Sequence, residues 1–273
     1  MRRIFLAQPL SLQMEVTGAD AHHLAHAMRA RSGERLLVTD SEGHSAEVQI
    51  AGFAAGKVLL RLVRCMEETH EPPCCVELFQ CLPKGDKMDF IVQKATELGA
   101  ARLHPVMSRN AVVRYDEKKA RARAARWQKV AAEAAKQCGR EKIPEIREIR
   151  PLAAVLRELA DGRTSSASGD ASDSVPELRL FFYEGEKQCG LQDVLRQTAA
   201  RRILLLVGAE GGFAAEEAEL SHAAGFLPVT LGPRILRAET AAVVSLALVQ
   251  YEKGDLGFAN SSIDDIGVQG QPV

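Results

Sequence analysis

Long hydrophobic runs, paired cysteine motifs and an excess of either charge are all missing from this 273-residue chain. No stretch reaches the roughly eighteen apolar residues that a membrane-spanning helix requires, so no membrane partner is expected. The opening MRRIFLAQPL is basic, but its apolar run is too short for the core of a secretion signal. The six cysteines (Cys65, Cys74, Cys75, Cys81, Cys138 and Cys189) include no CxxC pair and no histidine partner at metal-ligand spacing. Reduced thiols, no bound metal and a cytoplasmic location are therefore expected. The balance of 35 Lys and Arg against 36 Asp and Glu excludes bulk charge as a means of holding nucleic acid. Any such contact has to come from local clusters.

What is present is a globular composition, 46% apolar, in a length that suits one large domain and one small one. Residues 35–39 (RLLVT), 46–50 (AEVQI) and 58–63 (VLLRLV) are separated by turn-like segments and read as strands of a small β barrel. Ahead of them, AHHLAHAMRARSGE reads as a helix capped by Asp20 and ended by Gly33, with Arg29 and Arg31 on a weakly basic face. That face is either a nucleic-acid contact or a solvated surface. EETHEPP at 67–73 breaks regular structure and reads as a linker.

Beyond the linker the pattern changes. Residues 76–82 read as a strand, GDKMDFIVQKATELGA as a helix with Met88, Ile91, Val92, Ala95 and Leu98 on one face, and 102–107 as a second strand. Asp86 and Gly99 are placed to cap and to end that helix. A β-α-β unit with a right-handed crossover implies a parallel sheet. Residues 115–140 are alanine-rich and predict a long helix. From Arg114 to Lys142 there are ten Lys and Arg against four Asp and Glu. With Tyr115 and Trp127 interleaved, Arg114, Arg126, Gln137 and Arg140 are candidate RNA contacts through phosphate binding and stacking. An ordinary solvated helix face is the other reading, as is a structural role for Gln137 and Arg140. Residues 161–176 (DGRTSSASGDASDSVP) are expected to form a mobile loop, 178–183 and 202–207 strands, 214–224 a helix, 227–231 a strand and 238–251 a final helix, with a flexible tail over 256–273. The final helix is apolar nearly all round, at Val243, Val244, Leu246, Leu248 and Val249, so it predicts a subunit interface and a homodimer.

Two segments carry the chemistry, LLLVGAEGGF at 204–213 and LGPRILRAETA at 231–241. Each follows an apolar strand, and the glycines leave bare backbone N–H groups where a ligand can approach closely. Together they predict one pocket at the carboxyl ends of two strands. Backbone groups of Gly208, Gly211, Gly212, Leu231, Ile235 and Leu236 are the candidate ligand contacts, with Val207, Glu210 and Gly232 beside them. The alternative is that these glycines only make tight turns. A dinucleotide site would show GxGxxG with an acidic residue about twenty positions on. Here Glu210 sits inside the loop, where it would repel a pyrophosphate. Arg234, Arg237 and Glu239 concentrate charge in the second loop, either for chemistry or, for Arg234 and Glu239, as a salt bridge that holds the loop.

Taken in order, QKATELGA, EAAKQCGREKIPEI, LLLVGAEGGF and LGPRILRAETA resemble the RsmE-type small-subunit rRNA uridine-N3 methyltransferases of the SPOUT class, and HHLAHAMRARSGE carries the resemblance into the first seventy residues. It covers most of the chain. The resemblance implies a PUA-like RNA-binding β-barrel domain over 1–70 and an α/β SPOUT domain over 74–255, whose parallel sheet ends in a C-terminal trefoil knot. It also implies S-adenosylmethionine (SAM) held by the knot loops of a homodimer, and as partner the 16S rRNA of the 30S subunit. Without it, the avoidance of knots would lead to an unknotted doubly wound sheet. A sulfonium ligand, unlike a pyrophosphate, tolerates Glu210. The family usually has proline where Ala209 stands and often a serine cap where Ala214 stands. Loss of that cap costs about 1 kcal/mol, partly offset by Glu216 and Glu217 near the positive end of the helix dipole.

Methylation of a uracil N3 requires an exposed base and loss of its proton. Arg237, Arg234 and Arg109 are the candidate groups to stabilise the resulting anion. Glu210 and Glu239 are weaker candidates for accepting the proton, because an ordinary carboxylate near pKa 4.3 is a poor base for so weak an acid. The rival readings are a SPOUT ribose 2′-O-methyltransferase acting on rRNA or tRNA, and a noncatalytic RNA-binding ribosome-assembly factor.

Overall fold

The computed structural model describes residues 3–27, 29–67, 69–162 and 176–257. The anticipated loop at 161–176 and the tail at 256–273 lie almost wholly outside the described residues.

The N-terminal unit is a five-stranded sheet of β1 (Arg3–Phe5), β2 (Gln13–Thr17), β3 (Arg35–Thr39), β4 (Ser45–Ala54) and β5 (Lys57–Cys65), in the order β1-β3-β4-β5-β2. Its core is formed by inward-facing residues such as Leu36, Val38, Val48, Ile50, Val58 and Leu60. Register shifts between β4 and β5 at Glu47/Val48 and Ile50/Gly52 bend this sheet. Its edge strands β1 and β2 are not paired with each other among the described residues, so the expected barrel is not closed by hydrogen bonds. Helix α1 (Gly18–His22) runs into a π-helical turn at His23–Ala27. Thr17 occupies the N-cap and Asp20 lies inside the first turn, which corrects the expected cap. Gly33, with φ of +89°, belongs to a later turn and does not end the helix.

The second unit is a parallel sheet in the order β12-β10-β11-β6-β7-β8, with β9 also on β7. Its strands are β6 (Cys75–Cys81), β7 (Arg102–Met107), β8 (Glu145–Ile146), β9 (Arg150–Pro151), β10 (Glu177–Phe182), β11 (Arg202–Val207) and β12 (Leu227–Val229). Alternate residues of β11 enter two cores. Ile203, Leu205 and Val207 pack with α2 (Lys87–Glu97), α3 (Glu117–Cys138), α5 (Leu191–Gln197) and α7 (Ala238–Lys253), whereas Leu204 and Leu206 face α4 (Leu152–Ala160) and α6 (Ala215–Ala223). A strand covered on both faces has no polar side, which is why it reads as a continuous apolar run.

Helix α3 forms as its sequence dictates: the Asp116 side chain accepts a hydrogen bond from the Lys119 backbone N–H at 2.8 Å, and Gly139 ends it in the left-handed conformation. Asp86 precedes α2, but its side chain makes no cap bond. Trp127 of α3 is 1% exposed and donates its indole N–H to Asp89 at 3.0 Å. It is a core residue, not a stacking platform for RNA. Tyr115 likewise packs against the core, with the Arg123 guanidinium over its ring. Among the described residues no helix is long and apolar enough to cross a membrane.

Candidate active site

Because the strands run parallel, the carboxyl ends of β6, β7, β10, β11 and β12 lie along one edge of the sheet, and the loops that leave them meet there. The residues 204–213 and 231–241 come together on this edge. Val207 ends β11 with its side chain in the core, so only its backbone can serve a ligand. At Gly208 a Cβ would lie 3.2 Å from the Phe213 ring, and at Gly211 3.0 Å from the backbone oxygen of Asn110. Asn110 also donates its side-chain amide to the Gly211 carbonyl at 3.0 Å. Gly212 has φ of +62°. Close packing and backbone conformation thus account for Gly211 and Gly212 being glycine.

The second loop is open. Ile235 is 88% exposed, Arg234, Arg237 and Gly232 are exposed, and Leu231 and Leu236 are half-buried. Arg234 and Arg237 make no side-chain hydrogen bond or ion pair among the described residues. The alternative of an Arg234–Glu239 salt bridge is therefore not found. Glu239 turns instead to Lys87 at 3.2 Å, and the same ammonium lies 2.7 Å from Glu210. Glu210 also accepts from the Lys84 backbone N–H at 3.2 Å. Burial would raise the Glu210 carboxyl, but these hydrogen bonds, Lys87 first, hold it below its usual range and make it a still poorer base.

Arg109, in the loop that leaves β7, donates its backbone N–H to Glu217 at 2.7 Å, and its guanidinium pairs with the exposed Glu216. Glu217 also accepts from the Ala214 backbone N–H at 3.0 Å, which supplies half of a capping box where Ala214 has no side-chain oxygen. Lys87, Asn110 and Glu217 were not anticipated as site residues.

The anticipated RNA contacts fall into three groups. Arg29, Arg31, Arg114 and Gln137 are exposed, Arg29 in the left-handed region at φ of +49°. The Arg126 guanidinium is held by Asp89. Arg140 is 4% exposed, bound to Glu71 and to the carbonyls of Thr96 and Ala100. Its donors are occupied inside the protein, so it is not an RNA contact. Among the described residues one group, Asp40, Glu42 and His44, gathers ligand-type atoms within 4.8 Å. Asp40 there accepts from the backbone N–H groups of Leu10, Glu42 and His44 and thereby ties a loop.

Residues 70–250 match the family model described as "RNA methyltransferase domain", and residues 16–63 the one described as "RNA methyltransferase PUA domain". The chain is 30% identical over 237 residues to ribosomal RNA small subunit methyltransferase E of Bacillus subtilis, covering 87% of this chain and 89% of that one. Among solved structures it is similar to ribosomal RNA small subunit methyltransferase E from Neisseria gonorrhoeae bound to S-adenosyl methionine, with a TM-score of 0.78, 28% identity and coverage of 93% and 99% of the two chains. A methyltransferase from Legionella pneumophila in complex with SAM matches with a TM-score of 0.76, 30% identity and coverage of 93% and 98%. The extent of these matches, together with the paired loops at the sheet edge, places the chain in the ribosomal RNA small subunit methyltransferase E family.

Proposed function

We propose that this protein is a SAM-dependent methyltransferase that modifies N3 of a uridine in 16S rRNA of the small ribosomal subunit. The observation that carries the reading is the pair of free guanidiniums, Arg234 and Arg237, on an open loop beside the glycine loop. The glycine loop suits SAM better than a pyrophosphate because Glu210 stands inside it and, with Glu239, shares the one ammonium of Lys87, so a carboxylate lies where a pyrophosphate would have to bind. Gly208, Gly211, Gly212, Gly232 and the backbone of Leu231, Ile235 and Leu236 would hold it. When bound, SAM supplies an electrophilic methyl group. Arg237, with Arg234 beside it, stabilises the charge that develops on the uracil oxygens as N3 loses its proton. Glu210 and Glu239 are the carboxylates near enough to take that proton, directly or through a relaying water, and because a carboxylate is a weak base for an imide the guanidiniums must first acidify N3 by stabilising the anion. Arg109, paired with Glu216, shapes the rim.

For the domain division 1–70 and 74–255, the support is that each range holds one of the two sheets. For the C-terminal trefoil knot, the support is that the chain leaves β11 for β12 on the far side of β10 and then returns in α7 to pack on α2 and α5 beneath β6 and β11. A homodimer is supported by the apolar groups left open at Ile235, Leu248 and Tyr251. Sedimentation at micromolar concentration is expected to give a dimer, and a monomer would count against it. Six cysteines without a disulfide fit a cytoplasmic protein.

The test uses 30S particles lacking the modification, purified protein and labelled SAM, followed by digestion and mass spectrometry. N3-methyluridine is expected; a ribose-methylated nucleoside would favour the rival chemistry, and no SAM binding the noncatalytic one. Arg237→Ala is expected to abolish methylation while SAM binding by calorimetry persists, and near-wild-type turnover would remove Arg237 from its role.

A further inference from the structure

Three elements distant in sequence converge on one ammonium. Lys87 opens α2, Glu210 lies in the loop after β11, and Glu239 stands in the first turn of α7. The Lys87–Glu210 contact joins residues 123 apart, and the Lys84 backbone N–H adds a second tie to the same carboxylate. We propose that Lys87 is a positioning residue for cofactor binding, pinning the two ligand loops against each other so that the pocket is assembled before SAM arrives. This rests on the SAM reading above.

The loops need such a tether. Gly211, Gly212 and Gly232 add backbone freedom to both, and Gly232 has φ of +104°. The second loop has no other anchor of this kind: Ile235 is exposed, Arg234 and Arg237 have no partner among the described residues, and Glu239 reaches back only to Lys87. Two carboxylates so close to one ammonium would repel each other without it. The three side chains are 32%, 27% and 18% exposed, so solvent screens them only in part. Isolated ion pairs of this exposure add little to stability. The expected consequence is thus in binding, through the ordering that a preformed pocket spares the ligand. The hydrogen bond that Lys87 donates to Glu210 and the nearby Glu239 carboxylate raise the Lys87 pKa, which keeps the tether charged throughout the neutral range.

The test is Lys87→Met with Lys87→Arg as the conservative control, all in the full chain. Calorimetry with SAM is expected to show about tenfold weaker binding for Lys87→Met, the size of effect from losing a charge-assisted hydrogen bond. The KM for SAM should rise in parallel while kcat at saturating SAM stays within about twofold, the signature of lost binding without lost chemistry. Lys87→Arg should recover most of the affinity. In ligand-free protein, hydrogen exchange at 208–213 and 231–237 should quicken together in Lys87→Met, which reads loop assembly without any activity. Unchanged affinity and exchange in Lys87→Met would overturn the proposal, as would tighter SAM binding, which would mean that Lys87 mainly opposes the sulfonium. Wild-type protein that fails to bind SAM would overturn the functional reading instead.

Discussion

A carboxylate buried in a parallel sheet has to be matched, and Glu77 of β6, 2% exposed, accepts from Arg102 at 3.0 Å, Arg202 at 2.9 Å and His104 at 2.7 Å. Burial alone would raise its pKa, but the His104 hydrogen bond and the neighbouring arginines bring it down to about 2. His104, stacked on Phe79, is itself pushed down by burial, which outweighs the raising effect of Glu77. A carboxyl depressed below its ordinary value stabilises the fold fully above that value and loses the contribution as pH falls toward the folded pKa. Denaturant titrations are expected to show stability dropping between about pH 4.5 and 2. Glu77→Gln should cost about 3 kcal/mol at pH 7 and flatten that acid limb, and an unaltered limb would remove Glu77 as its origin. Residues of this sort were the least legible in the sequence. Arg140 and Trp127 stood in a basic, aromatic segment that reads as an RNA surface, yet one guanidinium is enclosed by carbonyls and a carboxylate and the indole is in the core. Charge counting assigns every lysine and arginine to the surface, and an alanine-rich helix gives little sign of which face turns inward.

Elements were legible where one physical signal dominates. Strand β11 matches its expected bounds because burial on both faces leaves an uninterrupted apolar run, β7 matches although His104 and Pro105 interrupt its run, and α3, expected over 115–140 from its alanine content, spans 117–138, bracketed by an aspartate cap and a glycine stop. Helix α4 was missed although Leu152, Val155, Leu156 and Leu159 form a clear face, since it starts immediately after Pro151 amid charged residues. Helix α5 has only seven residues, too few for a period to establish itself. The final helix is less uniformly apolar in its environment than its sequence suggests. Leu246 and Val249 are buried, Leu248 is 43% exposed, and Ser245 and Gln250 are buried among them. In the site, the loops were legible because glycine after an apolar strand is a backbone signal. Lys87 was not, because its partners become neighbours only when β6 and β11 pair.

At the scale of the molecule, the two sheets are joined by a buried charge network at the turn after α3. Arg3 of β1 donates to Thr39 at 2.8 Å and Ser45 at 3.0 Å within its own unit, and to Glu141 of the other at 3.2 Å. Glu141 also accepts from the His70 ring at 2.9 Å and the His70 backbone N–H at 2.8 Å, which ties the linker to the same point. Glu71 in turn binds Arg140 and the backbone N–H groups of Glu141 and Lys142. Arg3 and Glu141 are 3% and 5% exposed, so the pair is shielded from solvent and fixes geometry as well as charge. If the N-terminal unit grips RNA while the loops at the far sheet edge do the chemistry, the angle between the two units sets which nucleotide reaches Arg237. Arg3→Leu is therefore expected to leave SAM affinity by calorimetry within about twofold of wild type and to raise the KM for 30S particles roughly tenfold, about 1.4 kcal/mol lost from substrate binding alone. The same variant should lose stability, by about 3 kcal/mol, because Glu141 keeps its burial but loses a charged partner. An unchanged KM for 30S particles in a folded Arg3→Leu protein would mean that RNA docks on the catalytic unit by itself, and that the junction serves stability only.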